Sequence, residues 1–188
     1  MDALMAALVA AALGGVGDRP PWLAAILADR YRAPGLVLAA AALALAATSG
    51  IAAGAGALLA PQLTPEARQL LLALALILQG AGAAWRVKPP DRLAGWRLGA
   101  MATSLAGLFI LCFGDGLQFV VVALAAHSPV PALAAVGATL GGFAVFAPAA
   151  MLGERAWLRL PLVAARRVIG AVFLLAGLVL ALGALRLI

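Results

Sequence analysis

The chain has 188 residues, of which 66% are hydrophobic and only 11% are charged. Soluble domains are about 45–50% apolar and about 25% charged, so this composition excludes a water-soluble fold and indicates a polytopic membrane protein. The net charge of +6 does not indicate nucleic-acid binding, because the basic residues lie in short loops rather than on one face. The single cysteine, Cys112, excludes an internal disulfide.

Six apolar segments are long enough to cross a bilayer, because a spanning helix needs about 20 apolar residues. None of them alternates like a barrel strand, so we predict an all-α fold of six transmembrane helices. The predicted spans cover residues 3–29, 36–59, 67–85, 97–126, 131–152 and 164–186.

Loop charges predict the orientation of these spans. When the N-terminus is placed outside, most of the basic residues fall in inside loops. These are Arg30 and Arg32, then Arg86, Lys88, Arg92 and Arg97, then Arg155, Arg159, Arg166 and Arg167. The positive-inside rule therefore predicts that both termini lie outside the cytoplasm. The short loops, small size and alanine-rich composition favour a bacterial inner membrane.

The two halves of the sequence match at an offset of 97 residues. This offset places Gly17-Asp18 on Gly114-Asp115, Pro34 on Pro131 and Gly80 on Gly177. Because each half holds three spans, an odd number, the second half enters the membrane inverted relative to the first. We predict a first repeat over 1–85, a cytoplasmic linker over 86–96 and a second repeat over 97–188. Inverted repeats with interrupted helices recur in secondary transporters, whose sites lie where the repeats meet.

Both long spans, the first and the fourth, are interrupted. Pro20 and Pro21 lack the N–H that a helix interior needs, so we expect the helix to stop before them and restart after them. Gly114 and Gly116 loosen the fourth span more gently. Each interruption places an aspartate at the start of a second half-helix.

Asp18 and Asp115 have two interpretations, which are not exclusive. As N-caps they would each stabilise a restarted helix by about 0.5–2 kcal/mol. An aspartate in mid-membrane costs about 2.5–3.5 kcal/mol, which capping barely offsets. The duplicated pattern therefore favours a cation site in which the two carboxylates meet near the midplane. Arg19 either neutralises Asp18 or extends to the nearest interface.

Other polar residues are auxiliary candidates. Gln118 either donates to Asp115 and lines a pore or hydrogen-bonds between helices. Cys112 is either a thiolate ligand or, as is more usual for a buried thiol, a small hydrophobe. Gln79 is expected to pack between helices, and Glu154 to pair with Arg155 in a loop.

The chain shows no zinc-ligand spacing, no Ser/His/acid trio and no phosphate-cradling loop, so we predict neither an enzyme nor a cofactor. Two pairs of glycines, Gly50 with Gly54 and Gly137 with Gly141, form small-xxx-small faces that favour close helix contact.

Around Gly17-Asp18 and Gly114-Asp115, the sequence resembles the GDT family of Golgi-type calcium/manganese:proton exchangers and their bacterial relatives. The segments GDRPPWLAAILADRYRAPGLVLAA and FILCFGDGLQFVVVALAAHSPVPALAAVGATLG are similar to its duplicated Glu-x-Gly-Asp-Lys/Arg-Thr/Ser signature. The resemblance implies a divalent cation:proton antiporter of Mn²⁺ or Ca²⁺, with Asp18 and Asp115 as metal ligands.

The chain departs from this signature at several positions. The two glutamate positions hold Gly15 and Cys112, and the second basic position holds Gly116. The hydroxyl positions hold Pro20 and Leu117. Two carboxylates replace the four that the family motif implies, and divalent ions of this kind prefer several oxygen ligands.

This reduction leaves two alternatives to a divalent antiporter. One is a non-transporting structural or regulatory membrane subunit that pairs, as a homo- or heterodimer, with a complete paralogue. The other is a transporter of a monovalent ion or a small organic cation.

Overall fold

The computed structural model describes residues 2–185, which form eight α-helices and no strand. The helices are α1 (Asp2–Gly14), α2 (Arg19–Tyr31), α3 (Pro34–Leu59), α4 (Pro65–Gly82), α5 (Gly99–Phe113), α6 (Leu117–His127), α7 (Ala132–Trp157) and α8 (Leu162–Ala184). A short 3-10 turn over Ala60–Gln62 follows α3. The predicted all-α class is confirmed, whereas Arg186, the end of the last predicted span, lies outside the described residues.

Within the described residues, three helical segments are long and apolar enough to cross a membrane: Pro34–Gln62, α7 and α8. The pairs α1 with α2 and α5 with α6 meet the same requirement together, and they bend by 66° and 68°. The protein is therefore a multi-pass membrane protein with three to five candidate spans. Helix α4, predicted as the third span, is not among them, since its 18 residues include Glu66, Arg68 and Gln69 near the start.

The first break lies before the two prolines rather than at them. Helix α2 begins at Arg19, so Pro20 and Pro21 occupy its first turn. The expectation that the helix restarts after the prolines is therefore wrong. Proline is tolerated in a first turn because the N–H groups there have no intrahelical acceptor. The chain turns instead at Gly17, whose φ of 72° suits a residue without a side chain.

The second break lies where the glycines predict it. Helix α5 ends at Phe113, and α6 begins at Leu117. Each break contains an equivalent backbone hydrogen bond. The N–H of Asp18 donates to the carbonyl of Gly15, and the N–H of Asp115 donates to the carbonyl of Cys112, each at 3.3 Å. These bonds are related by the offset of 97 residues.

The same offset relates the starts of the helices. Helix α8 begins 97 residues after α4, and α6 and α7 begin within one residue of that spacing after α2 and α3. The packing of the two halves is also equivalent. Helix α3 packs against α5 and α6 of the other half, and its counterpart α7 packs against α1 and α2. Where α4 crosses α8, Gly80 closely approaches Leu174, and Gly177 closely approaches Ile77. At the offset of 97 residues, the contact of Gly80 with Leu174 corresponds to the contact of Gly177 with Ile77.

Three basic loops meet on one side of the helices. Arg30 donates to the carbonyl of Leu93 at 2.8 Å, which joins the α2–α3 turn to the segment after α4. Arg92 of that segment pairs with Glu154 near the end of α7 at 2.7 Å. Glu154 thus pairs with Arg92 rather than with Arg155, because the folded chain brings the α4–α5 connection over the end of α7.

The small-residue faces differ in their contacts. Gly137 and Gly141 of α7 lie against the backbone of α1 at Leu4 and Leu8. Gly50 and Gly54 of α3 face open space, since a Cβ atom at either position would meet no neighbouring atom within 4 Å. Only the α7 pair therefore permits a close helix crossing.

We predict that Gly141→Leu destabilises the protein, because any side chain there collides with the carbonyl of Leu8. Overpacking typically costs about 1–3 kcal/mol. Thermal unfolding can be followed with a thiol-reactive fluorophore, because Cys112 is the only cysteine and is 3% exposed. Gly50→Leu is the matched control and should leave the midpoint unchanged. Equal midpoints for the two variants would contradict the α1–α7 contact.

Candidate cation site

Asp18 caps the second half-helix of the first break. It has an extended backbone, and its Oδ1 accepts the N–H of Arg19 at 2.8 Å. The residue is 9% exposed. The predicted capping role of Asp18 is confirmed.

Arg166 of α8 provides the counter-charge of Asp18. Its Nη1 donates to Asp18 Oδ1 at 3.1 Å and to the carbonyl of Gly17 at 3.2 Å. Its Nη2 donates to the carbonyl of Gly82 at 3.1 Å. The guanidinium therefore joins the first break, the end of α4 and the start of α8. Sequence reasoning counted Arg166 only among the inside loop charges and missed this role.

Arg19 does not neutralise its neighbour. Its side chain is exposed, and its Nε donates to the carbonyl of Lys88 at 3.3 Å. Only its backbone N–H contacts the Asp18 carboxylate. Of the two alternatives for Arg19, the structure shows the one in which the side chain extends away.

Asp115 is not an N-cap. The cap of α6 is Gly116, whose φ of −58° and ψ of −25° are helical, and no side chain caps this helix. The carboxylate of Asp115 precedes the cap and is half-buried. The expectation that both aspartates cap half-helices is therefore correct for Asp18 and wrong for Asp115.

The two aspartates line one cavity, which we call the acidic cavity. Asp18, Arg19 and Pro20 form one side of it, and Gly114 and Asp115 form the other with two apolar residues of α5. Its volume is about 210 Å³. Since a water molecule takes about 30 Å³ in the liquid, the cavity has room for a partly hydrated ion. The two breaks of the chain thus place their acids on a common wall.

The auxiliary candidates do not line the acidic cavity. Gln118 donates through its Nε2 to Thr48 Oγ1 at 3.3 Å, so it forms the helix–helix hydrogen bond that was one of its two alternatives. Cys112 is buried in an apolar cluster with Leu108, Phe146 and other residues, as a small hydrophobe would be. Neither side chain therefore lines the acidic cavity or hydrogen-bonds to either carboxylate.

Gln79 of α4 lies between the two breaks. A methyl group at Gly14 would lie 3.2 Å from its Nε2, and one at Gly116 would lie 2.6 Å from its Oε1. Its amide therefore contacts the end of α1 and the start of α6 together. Sequence reasoning assigned Gln79 only a packing role, because nothing in the local pattern relates it to either break.

The acidic cavity contains few side chains that could ligate a metal ion. Residues 2–185 contain no group of three or more His, Cys, Asp or Glu side chains arranged to hold a metal. Asp18 is paired with Arg166, whereas Asp115 forms no ion pair within the described residues. A cation bound there would take its remaining oxygen ligands from water or backbone carbonyls.

Comparison with known proteins gives two matches. A sequence model of the family described as divalent cation/proton antiporter GDT1 matches residues 3–90. A protein of Vibrio cholerae named "Putative manganese exporter" is 30% identical over 183 residues, which cover 95% of this chain and 90% of the relative. No solved structure matches the chain.

We predict that Arg166→Gln lowers the unfolding midpoint, because it leaves the Asp18 carboxylate without its ionic partner. An unsatisfied buried polar group costs about 1–3 kcal/mol, and a charged one costs more. The fluorophore assay on Cys112 measures the change. The double variant Asp18→Asn/Arg166→Gln should recover much of the loss, and Arg19→Gln should have little effect. An Arg19→Gln loss as large as that of Arg166→Gln would contradict the assigned pairing.

Proposed function

Because the chain belongs to the GDT1 family of divalent cation/proton antiporters, we propose that it exchanges Mn²⁺ or Ca²⁺ for protons through the acidic cavity. The observation that carries this proposal is the convergence of Asp18 and Asp115, from two separate helix breaks, on one cavity wall. The name of the Vibrio cholerae relative supports manganese as the first ion to test.

We propose further that the chain crosses the membrane six times as two inverted three-helix repeats, 1–85 and 97–188, joined by a cytoplasmic linker over 86–96. The relation of the helix starts and of the α4–α8 contacts at an offset of 97 residues supports this arrangement. The meeting of three basic loops on one side supports a cytoplasmic position for them, with both termini outside a bacterial inner membrane.

The proposed exchange follows from competition for the same carboxylates. A cation and a proton cannot occupy one carboxylate oxygen together, so cation binding releases protons and protonation releases the cation. Rocking of the two repeats then alternates access to the cavity. In this scheme the cation is the transported substrate rather than a resident cofactor.

Arg166 adds a step that the sequence did not suggest. It competes with a cation for Asp18, because both are positively charged and the guanidinium lies 3.1 Å from Oδ1. A cation held at Oδ1 of Asp18 has to displace Arg166, which occupies that oxygen. The ion pair therefore lowers the affinity of the cavity for cations when Arg166 is in place.

The same ion pair favours a second candidate function. If Arg166 never leaves Asp18, one carboxylate remains, and the chain acts as a non-transporting structural or regulatory subunit in a dimer with itself or with a complete paralogue. Cation binding by the purified chain alone distinguishes the two functions.

We predict that proteoliposomes containing the chain carry Mn²⁺ in exchange for protons, and that Asp115→Asn abolishes this flux because it removes the cavity carboxylate that Arg166 does not pair with. A manganese-sensitive dye and a pH dye, one on each side of the bilayer, measure the coupled movement. The matched control is Asp2→Asn, which alters an exposed acid in the first turn of α1.

Unchanged flux in Asp115→Asn would remove the assigned role of this residue. Absence of both flux and cation binding in the unaltered chain would favour the subunit function. Calcium and a monovalent cation should be tested in the same vesicles, so that a changed substrate is separated from a lost activity.

We predict that Arg166→Gln lowers the Mn²⁺ concentration for half-maximal binding at least about tenfold, which corresponds to about 1.4 kcal/mol. Removal of the guanidinium frees Asp18, whereas Arg159→Gln, which removes an exposed arginine outside both the ion pair and the acidic cavity, should change the affinity little. Equilibrium binding of ⁵⁴Mn²⁺ to the purified protein measures this effect without transport. Weaker binding in Arg166→Gln would show that Arg166 assists the cation rather than competes with it.

A further inference from the structure

A second and larger cavity lies on the other side of the Asp18–Arg166 pair. We call it the basic cavity; its volume is about 420 Å³. Three arginines line it: Arg86 after α4, and Arg166 and Arg167 in the first turns of α8. Asp18 is the only acid on its wall within the described residues. Since Arg166 already neutralises Asp18, the basic cavity has two arginines whose charge nothing in its wall balances.

These two arginines are available to a ligand. Arg86 and Arg167 are exposed. Within residues 2–185, neither side chain forms a hydrogen bond or an ion pair, in contrast to Arg30, Arg92 and Arg166. The first turn of α8 also faces the cavity through Leu162 and Val163, and no side chain caps this helix. The start of a helix carries partial positive charge and favours anions.

The rest of the wall is apolar and aromatic. Trp22, Trp85 and Trp157 contribute to it, together with Leu158 and Val163. Trp85 is 72% exposed and Val163 is 66% exposed, so this wall continues onto the outer surface of the protein. Tryptophan is enriched where membrane proteins meet the lipid headgroups. A ligand of this cavity therefore combines an anionic group with an apolar part, and it has access from the membrane.

We propose that the basic cavity binds the phosphate of an anionic phospholipid headgroup, with Arg86 and Arg167 as its ligands. Arginine pairs with phosphate oxygens in a bidentate geometry, and basic pockets between helices on the cytoplasmic side bind such headgroups. The volume lies in the range of sites for small molecules, about 300–1,000 Å³. The exposed apolar wall distinguishes a lipid from free phosphate, since free phosphate leaves that wall uncovered.

The position of this cavity links the lipid to the acidic cavity, a consequence that rests on the proposed function. Asp18 lines both cavities. A phosphate in the basic cavity attracts the guanidinium of Arg166 and thus competes with Asp18 for it. The lipid therefore favours the state in which Asp18 is free for a cation.

The test measures lipid binding directly and without a transported cation, so its failure leaves the proposed function untouched. The detergent-purified full chain is titrated with dihexanoylphosphatidylglycerol, dihexanoylphosphatidylcholine or inorganic phosphate, and native mass spectrometry counts the bound molecules. The test variant is Arg86→Gln/Arg167→Gln. The matched control is Arg155→Gln/Arg159→Gln, which removes the same charge from exposed arginines outside the basic cavity on the same side of the protein.

We expect one saturable phosphatidylglycerol, bound more tightly than phosphatidylcholine and inorganic phosphate. The affinity should fall at least about tenfold in Arg86→Gln/Arg167→Gln, since each basic residue near a membrane surface contributes about 1 kcal/mol. It should stay within about twofold in the control, where contacts beyond the site are removed. The single variant Arg86→Gln, in the non-helical segment after α4, provides the same comparison if the double variant is poorly folded.

Three results would overturn the proposal. The first is non-saturable lipid binding, and the second is an equal loss of affinity in the control variant. The third is inorganic phosphate that binds as tightly as the lipid and displaces it, which would assign the site to a free anion.

Discussion

A carboxylate held inside a membrane-spanning chain is the constraint on which the rest of this structure depends. An aspartate at the centre of a spanning helix costs about 2.5–3.5 kcal/mol, so Asp18 needs groups that stabilise its charge. The break of the first span supplies one, the N–H of Arg19, and α8 supplies another, the guanidinium of Arg166. Because that guanidinium also binds the carbonyls of Gly17 and Gly82, stabilising one carboxylate joins three parts of the chain.

The duplication of the chain does not extend to this stabilisation. The breaks share their backbone hydrogen bonds and their aspartates at an offset of 97 residues. At the same offset, the position of Arg166 corresponds to Gln69 of α4, which donates to the carbonyl of Leu180 rather than to a carboxylate. Asp115 is therefore not the N-cap residue of α6 and forms no ion pair within the described part of the chain. Two acids that look equivalent in sequence therefore have unequal charge environments in the fold.

Features that depend on local chemistry could be predicted from the sequence. The glycines around Asp115 and the duplicated Gly-Asp pair identified both breaks and their relation, because helix interruption is decided within a few residues. The expectation that the helix restarts after Pro20 and Pro21 was wrong, because a proline that ends one helix is equally suited to the first turn of the next. Arg166 could not be found in this way. It lies 148 residues from Asp18 and next to another arginine, Arg167, so a charge count treats the two alike although one is held in an ion pair and the other is exposed.

The arrangement of the two cavities gives the ion pair a further significance. Asp18 is on the wall of both the acidic and the basic cavity, whereas Arg166 lines only the basic one. The pair therefore forms part of the boundary between them, and it stands beside a wall whose arginines repel cations. In the exchange that we propose, a cation that binds at Asp18 competes with Arg166 for this carboxylate. An anionic group bound in the basic cavity, as proposed above, would both neutralise its arginines and draw Arg166 away from Asp18.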